Sequence, residues 1–162
     1  MQIKGIGTHI KVSDFEKSKK FYESLGFKQV FTYGPDKGFD KDASGNLISA
    51  TEAYNGATFQ HGDCKLEIAD GHRAVKPEVF KQTITSSKVS AMVNVDSISE
   101  LIETAKNAGI ELAVGPRHYY WGTIEVVIKD PDGFVLVFIG PYSKEEAKRV
   151  NADETWGKPP QK

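Results

Sequence analysis

Hydrophobic and polar positions change rhythm twice along this chain, in the same order each time. From Ile6 to Val12 they alternate, with Ile6, Ile10 and Val12 on one side, the period of two that a half-buried strand requires. Phe15, Phe21, Tyr22 and Leu25 then fall at helical spacing, with Ser13-Asp14 as capping residues ahead and Gly26 as a stop behind. The rhythm returns in Val89–Val95, a strand, followed by Asp96-Ser97 as cap, by Ile98, Leu101, Ile102 and Ala105 as the helical stripe, and by Gly109 as stop. The capping aspartates lie 82 positions apart (96 − 14), which marks an internal repeat.

Strand-rich sequence follows each helix. The first module continues through residues 29–33, 57–60 and 65–68, with a Gly62-Asp63 turn between the last two; the second continues through 112–114, the aromatic stretch 118–121, 123–129 and 134–139. Each module therefore predicts a β-α-β-β-β order, and one helix cannot cover both faces of a sheet. The expected organisation is a first module at 1–72, a linker at 73–88 containing Pro77, a second module at 89–141 and a tail at 142–162 with a short charged helix and a frayed end. Residues 35–56 form a long polar insertion, read either as a lid or as disorder.

Composition narrows the setting. A chain of 162 residues and 17.9 kDa can bury a core, and a net charge of −1 with dispersed lysines such as Lys17, Lys19 and Lys20 leaves no electrostatic footprint for nucleic acid. The one cysteine, Cys64, excludes an internal disulfide framework and fits a reducing cytoplasm. No apolar stretch reaches membrane-spanning length and no signal-peptide core is read at the N-terminus, so a cytoplasmic location without membrane partner is expected.

The most distinctive stretch is Val127-Ile128-Lys129-Asp130-Pro131-Asp132-Gly133-Phe134-Val135-Leu136-Val137-Phe138, downstream of Trp121-Gly122. It reads as strand, tight turn and strand, with Pro131 presetting φ and Gly133 free to take a positive φ. Together with S-D-F-E-K-S-K-K-F-Y-E-S-L-G-F at 13–27, it resembles the vicinal oxygen chelate superfamily, which contains glyoxalase I, extradiol dioxygenases and the fosfomycin and bleomycin resistance proteins. The resemblance runs from Ile3 to Pro141, with Phe15 where the family has leucine. It implies an α+β fold in which tandem β-α-β-β-β modules curl mixed sheets around a cavity, helices outside.

In metal-binding members that cavity holds an ion on four side chains, and the resemblance places those positions at Gly7, Glu67, Ser90 and Val137. Glycine and valine offer no donor and serine a poor one, so no metal or other cofactor is expected. A displaced site is the alternative. His9 lies two residues past Gly7 on the same side of the strand, about 6.6 Å further along, and could act with Glu67 and with Asn94 or His118.

Without a metal, Glu67 becomes a candidate general base or a counter-charge for a cationic ligand, with a salt bridge to Lys65 as the plain structural reading. Glu125 carries the same ambiguity. His118, Tyr120 and Trp121 suit the wall of a groove for a flat ligand, and Met92 and Asn94 complete the expected ligand-binding set with His9. His61 and His72, next to glycine-containing turns, read as surface residues. The expected function is metal-independent binding of a small aromatic or cationic molecule in the inter-module cavity of a symmetric homodimer. The alternatives are a lyase or dioxygenase with a shifted metal site, or a metal-free isomerase or lyase that uses Glu67 as base.

Overall fold

The computed structural model describes residues 5–159; Ile3, where the family resemblance begins, and Pro160, at the end of the tail, lie outside the described residues. The chain divides into two compact units, Met1–Ile84 and Thr85–Lys162, and the division falls inside the segment read as a linker. That segment contains a short 3-10 turn at Pro77–Lys81. The class is α+β, with two mixed sheets, each served by one main helix.

Unit 1 runs β1 (Gly7–Lys11), α1 (Phe15–Ser24), β2 (Gln29–Gly34), β3 (Ser49–Thr51), β4 (Gly56–His61) and β5 (Cys64–Ala69). Its sheet order is β1-β5-β4-β2-β3, with β1 and β5 parallel and with β4 antiparallel to both β5 and β2. The insertion at 35–56 supplies β3, which pairs parallel with β2. Ser49 also ties it down, its single hydroxyl proton shared between the Gly38 carbonyl at 2.8 Å and Asp40 Oδ2 at 2.6 Å.

Alternation splits this sheet cleanly. Ile10, Ala57, Phe59, Leu66 and Ile68 are buried with Phe15 and Tyr22 of α1, and the Tyr22 ring lies 5.7 Å from that of Phe59. Asp14 starts the helix by accepting the Lys17 N–H at 3.0 Å, and Gly26 follows its end with φ +87°. The register partners His9, Glu67 and Thr58, with Phe31, belong to the other face.

Unit 2 runs β6 (Ser90–Asn94), α2 (Ile98–Asn107), β7 (Leu112–Tyr119), β8 (Thr123–Lys129), β9 (Val135–Pro141) and α3 (Lys144–Arg149), in sheet order β6-β9-β8-β7. Ile124, Val126, Ile128, Leu136 and Phe138 are buried with Ile98, Leu101 and Ala105 of α2. The tight turn between β8 and β9 is built around the buried Asp130: its Oδ1 accepts the N–H groups of Asp132 at 3.0 Å and Phe134 at 2.8 Å. Gly133 closes the turn at φ +90°, a conformation costly for any residue with a Cβ.

Two features depart from the sequence expectation. Tyr120 and Trp121 occupy the turn between β7 and β8 rather than a strand, because Gly122 (φ +92°) reverses the chain there and its N–H bonds the Tyr119 carbonyl. The tail is also tied back on to the unit. After α3 it runs beside β7, exchanging backbone bonds from Asp153 to Pro116, from His118 to Asp153 and from Tyr120 to Trp156.

Helix α3 is anchored by Glu146, whose carboxylate accepts Ser99 N–H at 2.7 Å, Ser99 Oγ at 3.1 Å and Ser97 Oγ at 3.1 Å. It thus sits at the N-terminus of α2, where backbone donors and the helix dipole favour an anion. Burial opposes its ionisation, and these hydrogen bonds together with Arg149 outweigh burial, holding the carboxyl below its ordinary value. Glu146→Ala should lower unfolding free energy by about 1–3 kcal/mol in urea titrations. An unchanged midpoint and slope would show that the tail helix contributes nothing to unit 2.

Candidate functional site

The polar face of the unit 1 sheet gathers groups that are distant in sequence. His9 on β1 and Glu67 on β5 are register partners, so their side chains stand side by side. His9 Nε2 lies 4.0 Å from Glu67 Oε1, close enough for electrostatic attraction and too far for a hydrogen bond. That nitrogen is buried and has no hydrogen-bond partner among the described residues.

Glu67 Oε1 instead accepts a 2.6 Å bond from the Tyr33 hydroxyl, which reaches it from two strands away. The crossing depends on Gly56, the register partner of Tyr33 on β4. A Cβ added to Gly56 would fall inside the Tyr33 ring, so the absence of a side chain is what lets the ring lie across the strand.

Two more rings close the cluster. His72 packs edge-on to His9 with centroids 5.5 Å apart, and Tyr54 packs edge-on to Tyr33 at 5.8 Å. His72 is half-buried rather than a plain surface residue, and its Nδ1 accepts the Ala74 N–H at 3.1 Å. His61 is exposed at the β4–β5 turn. Lys11, one step along the same face, places its ammonium 3.4 Å from the His9 carbonyl.

The electrostatics follow from burial and from one carboxylate. Burial raises the Tyr33 phenol, and the hydrogen bond and charge of Glu67 raise it further, so the group stays a donor. His9 is pushed below its ordinary value, first by burial and then by Lys11, with Glu67 opposing. Lys11 is lowered by burial, again against Glu67. The face therefore presents a carboxylate held through one oxygen, a neutral imidazole and two tyrosine rings.

The remaining sequence-selected residues lie in unit 2 and split between its two faces. Across the sheet, Asn94, Ile139, Glu125 and Arg117 are successive register partners, and Met92, Val137 and Val127 form the next row. Met92 is 71% exposed. Glu125 Oε1 accepts Trp121 Nε1 at 3.1 Å and Thr123 Oγ1 at 2.8 Å, which joins two of the chosen residues. Trp121 also stacks on Tyr119, centroids 4.5 Å apart, with Tyr120 edge-on to it. His118 pairs with Ile124 of the buried face, stacks on Tyr142 at 3.6 Å and bonds Glu154 in the tail. It points away from the Asn94–Glu125 row.

The family-type metal positions do not form a donor set. Gly7 brings no donor atom, and a Cβ there would already stand 3.2 Å from the Lys65 carbonyl oxygen; Val137 sits between two other apolar residues in register. Among the described residues no three His, Cys, Asp or Glu side chains gather closely enough to hold an ion. The displaced alternative has His9 and Glu67 together, and among the described residues no third His, Cys, Asp or Glu joins them.

With this architecture in place, sequence comparison gives the class. A family model described as the Glyoxalase/Bleomycin resistance protein/Dioxygenase superfamily matches residues 7–138, and the chain belongs to that superfamily. Among solved structures it is similar to the bleomycin resistance determinant encoded on the transposon Tn5, at 25% identity and a TM-score of 0.53, over 87% of this chain and 100% of that one. It is also similar in fold to the fosfomycin resistance protein FosX from Listeria monocytogenes, solved with Mn(II) and a dihydroxypropylphosphonic acid. That match has 14% identity and a TM-score of 0.62, over 91% and 99% of the two chains. A hypothetical protein from S. aureus matches at 19% identity and a TM-score of 0.51, over 86% and 94%. No curated protein matches the sequence.

Two outcomes test the cluster. Gly56→Ala should expel the Tyr33 ring, and in ultraviolet titration the most alkaline tyrosine should move back toward the ordinary value of 10.0. If that ionisation stays put, Gly56 is not what admits the ring. His9 gives the second. Its folded value lies below the 6.5 of the unfolded chain, so the unfolded state takes up the proton first. Stability should be unaffected by this group above 6.5 and should fall as pH drops below it, and His9→Gln should flatten that slope.

Proposed function

We propose that this chain binds a small molecule carrying a cationic or hydrogen-bond-donating group, through Glu67 as counter-charge and the Tyr33 and Tyr54 rings as walls. The observation that carries the reading is the Tyr33–Glu67 bond: one carboxylate oxygen is fixed by the phenol while the side chain keeps 35% of its surface exposed. A positioned carboxylate beside aromatic rings suits a flat cation, which gains from both charge and ring faces. The similarity to the Tn5 bleomycin resistance determinant supports the same direction.

The binding is metal-independent in this reading, supported by Gly7 and Val137, which bring no donor atoms to the family's metal positions. Met92, Asn94, Trp121 and Glu125 are assigned to the ligand-binding surface of unit 2, with Glu125 as its second carboxylate. His118 enters the same proposal only through its neighbours, given its stacking on Tyr142. We assign the protein to the cytoplasm as a homodimer. Among the described residues no helix is long and apolar enough to cross a membrane, the lone Cys64 fits a reducing compartment, and two-fold pairing is the commonest assembly.

A second reading has its own observation. The buried, unpartnered His9 Nε2 stands 4.0 Å from Glu67 Oε1, so a substrate group or water seated between them could exchange a proton with either side chain. This makes metal-free isomerase or lyase chemistry, with Glu67 as base, the alternative to pure binding.

Benzamidine and benzamide share a shape and differ in charge, so they separate the roles of Glu67. Calorimetric titration should show Glu67→Gln weakening benzamidine by about tenfold or more, the worth of a charge-assisted contact. Benzamide binding should stay within a factor of about two, because no such contact is lost. Equal losses for the two probes, or none, would make Glu67 a structural residue and sink the proposal.

A further inference from the structure

We propose that unit 1 carries a separate site for a small organic anion, in the crevice at the carboxyl ends of the parallel strands β1 and β5. These strands are neighbours, and the chain leaves them by different routes: through Ser13 into α1, and through Asp70 and His72 toward the 3-10 turn at Pro77–Lys81. Diverging connections from adjacent parallel strands leave an opening, which is where open α/β sheets hold their ligands. Here the opening is a cavity of about 300 Å³ lined by Ser13, Asp70, His72, Val75, Phe80 and Lys81 among others. That is the size of the smaller small-molecule sites.

The lining selects the ligand class. Val75 and the buried Phe80 offer an apolar wall. Lys81 brings an ammonium. His72 is fixed as a donor, because Nδ1 accepts the Ala74 N–H and the neutral ring must then carry its proton on Nε2. The one carboxylate, Asp70, is already engaged: its oxygens accept the Asn55 backbone N–H at 2.8 Å and the Asn55 side-chain amide at 2.9 Å. With Asp70 held by Asn55, the Lys81 ammonium and the His72 N–H are the groups that select the ligand, and the complementary molecule has one anionic group on a compact apolar body. Glu67 asks for the opposite charge, so the two sites take different ligands. His72, 5.5 Å from His9, stands between them.

Benzoate fits this description, and the same benzamide and benzamidine serve as neutral and cationic controls. In ¹H–¹⁵N spectra of the full chain, benzoate should shift the amides of Gly71, His72 and Lys81 saturably, and benzamide should do so much more weakly. Lys81→Glu, at an exposed position, should weaken benzoate about tenfold or more. Val75→Trp, which fills the crevice, should abolish the shifts with spectral dispersion retained. Glu67→Gln should leave benzoate unchanged. The inference is overturned by the absence of saturable shifts, by an equal response to benzamide, by indifference to Lys81→Glu or Val75→Trp, or by loss of benzoate binding in Glu67→Gln. Each of those outcomes is independent of whether benzamidine requires Glu67.

Discussion

Each sheet in this protein has one main helix to cover it, and a single ten-residue helix can hide only one face. The rest of the molecule is organised by that shortage. On β1, β4 and β5 the residues of one parity, Ile10, Phe59 and Ile68 among them, bury completely with α1. Those of the other parity have no helix to meet, and the sequence places His9, Thr58 and Glu67 there. Burial of the first set supplies the stabilisation, at roughly 25 cal/mol per Å² of apolar surface. That burial holds the second set at fixed spacings without asking it to contribute to the core. In the proposed reading, function is carried by the face that folding leaves uncommitted.

Rigidity on that face comes from side chains that cross strands. Tyr33 spans β4 to reach Glu67, and the two tyrosines and two histidines meet edge to edge rather than standing alone. A carboxylate in such a setting loses rotamer freedom before any ligand arrives, which reduces the entropy that binding must overcome. The same crowding keeps His9 neutral and the Tyr33 proton in place, so the electrostatic character of the face is set by packing as much as by composition.

The fold was largely legible in the sequence, because its signals are local. Asp14 and Ser97 announce the helices, Gly26 and Gly109 follow them with positive φ, and the Asp130 turn is encoded within five residues. His9 could be placed beside the Gly7 position by parity, and Glu67 by the family resemblance. Tyr33 could not, because its role depends on the pairing of β2 with β4, and that register slips between Gln29 and Phe31. Gly56 looked like the end of a loop, since nothing local says that a ring from residue 33 will need its empty space. His72 likewise gains its contacts only when the chain beyond β5 returns past β1. The Trp121 turn was obscured by three consecutive aromatic residues, whose strand preference outweighs a single glycine in any local reading.

The run of the tail beside β7 has a consequence for the fate of the protein at high concentration. β7 is the outermost strand of its sheet, and an outermost strand offers its unused backbone groups to any other chain that can extend alongside. The stretch from Asp153 to Trp156 takes up those groups at residues 116, 118 and 120, so the strand that would recruit a neighbour is already occupied by its own chain. Glu146 decides whether that cover stays in place, since it fastens the helix from which the stretch is suspended. The tail can in this way determine whether the molecule remains in solution or joins a growing sheet.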